Sequence, residues 1–168
     1  VDDLFHPQKL RFQYELMKND PTLGVVATEY QIINEEFSVD KIKVTEKVDL
    51  NKLKLIDVTE KIANHSPLCH SSVVMKKSIL EEVGGYDETR ERQYDYDLWI
   101  RIVSNGWGLF ILDKKLTYKR IHTNQSYENK NRIKHLYSSI KLQKKAIRAL
   151  KFSRFRYVNC YLRFLYGL

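Results

Sequence analysis

Apolar residues recur at helical spacing in "HPQKLRFQYELMKND", where Leu10, Tyr14 and Met17 lie about one turn apart with Phe12 and Leu16 beside them. Pro7 suits the first turn of such a helix, and Pro21 disfavours a helical residue before it, so a stop is expected near "NDP". "LGVVATEYQII" is β-branched and aromatic and predicts a strand. "NEEFSVDKIKVTEKVD" is polar and reads as a loop or an exposed hairpin. "LNKLKLIDVTEKIAN" reads as an irregular helix, and "SSVVMK" as a short buried strand. "KKSILEEVGGYDE" predicts a short helix stopped by Gly84, and "YDYDLWIRIVSNG" a second helix closed by Gly106. "WGLFILD" and "LTYKRIH" read as two strands, and from Tyr127 the pattern is helical to the end. Strands interleaved with helices argue an α/β fold, without internal repeats or low-complexity segments.

A length of 168 residues suits one domain with a sizeable core, and 43% hydrophobic with 30% charged residues excludes a disordered chain. No apolar run approaches the roughly 20 residues that span a bilayer. Cys69 and Cys160 are far apart in sequence and lack CxxC spacing, so neither a disulfide framework nor a zinc knuckle is expected; two free thiols suit a reducing cytoplasm. The net charge of +8 is unevenly placed: residues 128–168 carry eleven Lys and Arg against one acid, Glu128, and residues 1–127 carry eighteen against twenty. The expected division is therefore a nearly neutral body, 1–127, and a basic, aromatic helical extension, 128–168, facing an anionic partner.

Acidic pairs are the first candidates for chemistry. Asp95 and Asp97 open the helix that contains Leu98, Trp99 and Ile102, where the helix dipole favours acids by ~0.3–1 kcal/mol. Asp97 and Arg101 are four apart and can pair on one face. The same position suits a general base, which must be ionised at working pH. Asp2 and Asp3 form a second pair, able to hold a hard divalent cation or to cap the helix near Pro7. His122 ends "LTYKRIH", where a lone His is a packing residue or a ligand; His6, His65, His70 and His135 carry weaker signals. Gly84 and Gly85 are a helix stop, or a place where a ligand approaches the backbone.

Taken in order, "VDDLFHPQKLRFQ", "HSSVVMKKSILEEVGGYDE", "YDYDLWIRI" and "YKRIHTNQS" resemble the family 2 glycosyltransferases of the GT-A fold over about residues 1–127. That family has Asp-x-Asp at a strand end, then an "hP..L..Q" helix, a "vGGyde" loop, an "EDyDLWlR" helix and a "yR.H" strand end. The resemblance implies a partial GT-A fold, a mixed sheet flanked by helices. It also implies that Val1-Asp2 closes Asp-x-Asp, so that the first Asp and the nucleotide-binding half lie outside this chain. By the same resemblance Asp2 and His122 bind Mn²⁺ or Mg²⁺, Asp2, Asp3, Gly85 and Tyr86 face the donor, and Asp95 is the general base. Trp99 stacks on the acceptor or packs, and Asp97 is structural. The implied reaction is inverting transfer of a sugar from a nucleotide-sugar to a glycan, lipid-linked or protein acceptor. The family's Glu before that Asp is Tyr94 here, and the absence of Q-x-x-R-W argues against a processive synthase.

The extension ends in "KFSRFRYVNCYLRFLYGL", in which Phe152, Phe155, Tyr157, Tyr161, Phe164 and Tyr166 are interspersed with Arg154, Arg156 and Arg163. Ahead of it Ile133, Leu136, Tyr137, Ile140 and Ile147 mark one helix face. Two readings stand: an interfacial helix on anionic lipid, at the inner face of the membrane, or a helix packed back on the body. Nucleic acid ranks below both, because no recognised binding motif accompanies the charge. The rival to an enzyme is a non-catalytic module that binds a membrane or a protein through this segment.

Overall fold

A computed structural model describes residues 3–38, 40, 42, 53–121 and 132–166, with backbone alone at 132 and 163–166. They gather into two compact units: residues 1–57, 68–76 and 108–124, and residues 58–67, 77–107 and 125–168.

The first unit is a mixed sheet with one helix. Its strands are β1 (Leu4–Phe5), β2 (Val25–Ile33), β3 (Leu55–Asp57), β4 (Val74–Met75) and β5 (Leu109–Arg120), ordered β1-β5-β2-β4 with β3 also on β5. β2 and β5 run parallel, and β1, β3 and β4 add antiparallel. Val25 to Thr28 are buried without alternation, as expected of a central strand covered on both faces. Helix α1 (Lys9–Asn19) ends where Pro21 requires. Its Phe12 and Met17 pack with Leu23, Val26, Leu112 and Leu116. Gln13 Nε2 donates to the carbonyls of Val26 at 2.6 Å and Ser72 at 2.9 Å, so the buried amide ties helix to sheet. Leu10 and Tyr14, expected on the apolar face, are exposed; Phe12, Gln13 and Met17 form the inner face instead.

The second unit is helical. It comprises a 3-10 turn (Thr59–Ala63), α2 (Lys77–Glu82), α3 (Tyr94–Ser104), α4 (Arg132–Ala149) and α5 (Arg156–Tyr166); the 3-10 turn and α4 pack on α3, whose Tyr96, Leu98, Trp99, Ile100 and Ile102 are buried, and α5 packs on α4. Tyr96 Oη donates to the Ile62 carbonyl at 2.6 Å. On α4 the inner residues are Ile140 and Ile147, which pack with Ala63, Leu136, Tyr157 and Cys160.

Four sequence expectations are corrected. The described part of "LNKLKLIDVTEKIAN", from Leu53, holds β3 and a 3-10 turn, not a helix: Leu53-Lys54-Leu55 alternates with a period of two, and Leu53 and Leu55 pack into the sheet core. The two strands expected in "WGLFILD" and "LTYKRIH" are one, Leu109–Arg120, because pairing with β2 continues past Asp113–Lys115 through register shifts at Thr28–Tyr30. In "SSVVMK" only Val74–Met75 is strand, and His70–Ser72 is a 3-10 turn. The tail is two helices, broken at Lys151 with φ 52°, and Ile133 and Tyr137 are exposed. The segments 43–52 and 122–131 lie outside the described residues. The observed architecture is a mixed α/β fold, compatible with a partial nucleotide-sugar transferase fold.

Candidate functional site

The double glycine ends α2 by backbone geometry. Gly84 and Gly85 hold φ of 78° and 70°, conformations costly to any residue with a Cβ. The Gly85 N–H donates to the Leu80 carbonyl at 2.8 Å and the Gly84 N–H to Glu81 at 3.0 Å, closing the helix as a glycine cap does. Open space lies where a Cβ would sit at either glycine. This turn carries Tyr86 to the start of α3, where its ring meets Tyr94 edge-on with centroids 5.8 Å apart. Burial raises the Tyr86 phenol above its ordinary pKa, and the charge of Asp95 and the neighbouring Tyr94 add to the effect. The structure thus brings Tyr86, which follows Gly85, against Tyr94, the neighbour of Asp95, from separate sequence motifs.

Asp95 is half-buried in the first turn of α3, with Oδ1 accepting the Tyr96 N–H at 2.8 Å. The residue before the helix, Gln93, is left-handed at φ 52°. Its Nε2 donates to the His135 carbonyl at 3.1 Å, so α4 holds the entry to α3. Asp97 faces inward at 2% exposure. It accepts from Arg101 Nε at 2.9 Å and Lys145 Nζ at 2.7 Å, with Arg90 4.0 Å away. Burial alone would raise its pKa; the hydrogen bonds from Lys145 and Arg101 outweigh burial and hold the carboxyl below its ordinary range. Arg101 also donates to the Val83 carbonyl. Among the partners of Asp97 only Arg101 carried a sequence signal, its spacing of four; Gln93 and Lys145 lack any local pattern, and His135 carried only a weak one. Trp99 is fully buried and packs inside the unit.

In the first unit Asp3 and Arg120, far apart in the sequence, are neighbours. Pairing of Leu4 with Tyr118 sets β1 against the end of β5, and Asp3 Oδ1 accepts the Arg120 N–H at 2.9 Å. The Arg120 guanidinium donates to the carbonyls of Asn34 at 2.9 Å, Glu35 at 2.6 Å and Phe37 at 3.0 Å, fixing the turn after β2. Asp2 and His122 lie outside the described residues. Among the described residues no group of three or more His, Cys, Asp or Glu is arranged to hold a metal ion.

No family model matches the chain. It is 28% identical over 138 residues to an uncharacterized glycosyltransferase of Methanocaldococcus jannaschii, covering 82% of this chain and 46% of that protein. It is 26% identical to the putative glycosyltransferase EpsE of Bacillus subtilis over 68% of this chain and 39% of that protein. An uncharacterized glycosyltransferase of Haemophilus influenzae is 28% identical over 72% of this chain and 42% of its own length. These similarities support a glycosyltransferase. The chain spans less than half the length of these glycosyltransferases, and the match covers most of its own residues.

Proposed function

We propose that the chain is the acceptor-side part of a family 2, GT-A, inverting glycosyltransferase. It moves a sugar from a nucleotide-sugar to a glycan, lipid-linked or protein acceptor. The observation that carries the reading is the edge contact of Tyr86, at the end of the Gly84–Gly85 turn, with Tyr94, which precedes Asp95 at the start of α3. Asp95 takes the proton of an acceptor hydroxyl as its oxygen attacks the anomeric carbon. The bond from that carbon to the nucleoside diphosphate breaks on the opposite face, inverting the centre. Tyr86 and Gly85 border the donor sugar, the open backbone there admitting close approach. Asp97, saturated by cations, positions α3 and takes no proton, and Trp99 acts through the packing of that helix.

A carboxylate and a neutral imidazole suit Mn²⁺ or Mg²⁺, and the Asp3–Arg120 bond joins the strand ends that lead to Asp2 and His122. Those two residues would hold the ion, which when bound supplies positive charge beside the leaving diphosphate.

A second element of the proposal is peripheral contact with an anionic membrane through α5. Phe155, just before the helix, and Val158, Tyr161 and Leu162 on it are 85%, 51%, 64% and 44% exposed, while Tyr157 and Cys160 pack inward. No described helix is long and apolar enough to cross a membrane.

The test is a nucleotide-sugar screen on the full-length protein, with and without Mn²⁺, reading the anomeric product by NMR. Transfer with inversion is expected, with donor affinity lost on chelation and weakened by His122→Ala. Turnover with retention would remove Asp95 as base, and unchanged metal dependence in His122→Ala would remove that ligand.

A further inference from the structure

The second unit holds a cavity that the proposed chemistry leaves unused. It has a volume of about 510 Å³ and is lined by Arg90, Lys141, Leu142, Lys145, Arg148 and Ala149. Lys141, Lys145 and Arg148 share one face of α4, and Arg90 precedes α3. Like charges three and four apart on a helix repel, so this face costs stability when nothing opposes it. A helix C-terminus accounts for Arg148 in the last turn but not for Lys141, two turns earlier.

Two nearby carboxylates, Asp97 and Asp87, are already engaged. Asp97 accepts from Lys145 and Arg101 at 2.7 and 2.9 Å, and Arg90 reaches it only at 4.0 Å. Asp87 accepts from the Thr89 hydroxyl and N–H at 2.6 and 3.1 Å. Among the described residues no carboxylate pairs with Lys141 or Arg148, and the buried Nε of Arg90 makes no hydrogen bond. Positive charge is therefore in surplus around a concave site. Leu142, Ala149 and the aliphatic stems of the lysines make the rest of its wall apolar.

We propose that this cavity binds a phosphate or diphosphate group carried by the acceptor. Guanidinium forks and ammonium groups match the several oxygens of such an anion, and the apolar wall accommodates the chain that bears it. The assignment to the acceptor rests on the glycosyltransferase reading, in which this unit supplies the base Asp95.

Calorimetry on the full chain tests it with three probes: inorganic diphosphate, farnesyl diphosphate and uridine diphosphate. The variant is Lys141→Gln with Arg148→Gln, both exposed. Farnesyl diphosphate is expected to bind the wild type, and the double variant to bind it at least about tenfold more weakly, as for loss of charge-assisted contacts. The melting temperature is expected to stay within about 2 °C, as for surface changes. Tighter binding of the farnesyl compound than of inorganic diphosphate supports the proposal, and comparable binding of inorganic diphosphate assigns the site to soluble phosphate and overturns it. Unchanged affinity in the variant, absence of phosphate binding, or weakening confined to uridine diphosphate overturns it. None of these readouts needs sugar transfer, so a failed glycosyltransferase reading would show separately as missing turnover.

Discussion

Asp97 is a carboxylate 2% exposed, held by groups from its own helix and from α4. Replacing it with Asn would leave Arg101 and Lys145 facing each other without a counter-charge. Both cations are partly exposed, which moderates the penalty of a broken buried pair to about 2 kcal/mol. The expected outcome is that loss for Asp97→Asn, and less than about 1 kcal/mol for Lys145→Met, because Lys145 is half exposed. Denaturant melts at pH 7 measure both. The depressed folded pKa also sets a pH dependence. The contribution is full above the ordinary value of 3.8 and is lost as pH falls through the lower folded value. Stability of the wild type should therefore fall more steeply below about pH 4 than that of Asp97→Asn. A parallel pair of curves would remove Asp97 as the acid-labile group. At this scale the Arg101 pairing was legible, since spacing of four puts two side chains on one helix face. Lys145, 48 residues from Asp97, was not, because only folding brings α4 to α3.

Among the elements, those with strong local punctuation were readable. Pro21 ends α1, Gly84 ends α2, and Gly106 at φ 89° ends α3, each for a backbone reason independent of the rest of the chain. Those decided by distant partners were not. Residues 55–57 become a strand because β5 offers an edge, and Asp113 stays within β5 although its polarity marked a break. Helix α5 combines both cases: the apolar residues were evident, but which ones face inward depends on α4. The outward set makes a separable prediction. Phe155→Ser with Tyr161→Ser and Leu162→Ser should reduce co-sedimentation with vesicles containing anionic lipid, while the melting temperature changes little. Wild-type binding should weaken at high salt, as Lys and Arg near such a surface each contribute ~1 kcal/mol that salt screens. Truncation after Leu150 should abolish vesicle binding and also lower stability, because it removes Phe152, Tyr157 and Cys160 from a packed cluster. Vesicle binding unchanged in the triple variant would leave α5 as a packing element only.

For the molecule as a whole, the α/β class followed from alternating strand and helix patterns. The order β1-β5-β2-β4 did not, because a 2-residue and a 12-residue strand meeting across the length of the chain leave no local trace. The meeting of Asp3 with Arg120 belongs to this scale. So do the 26–28% identities to glycosyltransferases, which rest on the whole run of motifs and not on any one residue. The central claim, that the α3 carboxylate beside the Gly84–Gly85–Tyr86 turn is the base of a sugar transfer, is tested most directly by the turnover of Asp95→Asn in the full-length protein. A fall in kcat of at least about 10²-fold, with melting temperature and donor affinity kept, is the expected result. Turnover near that of the wild type would contradict it.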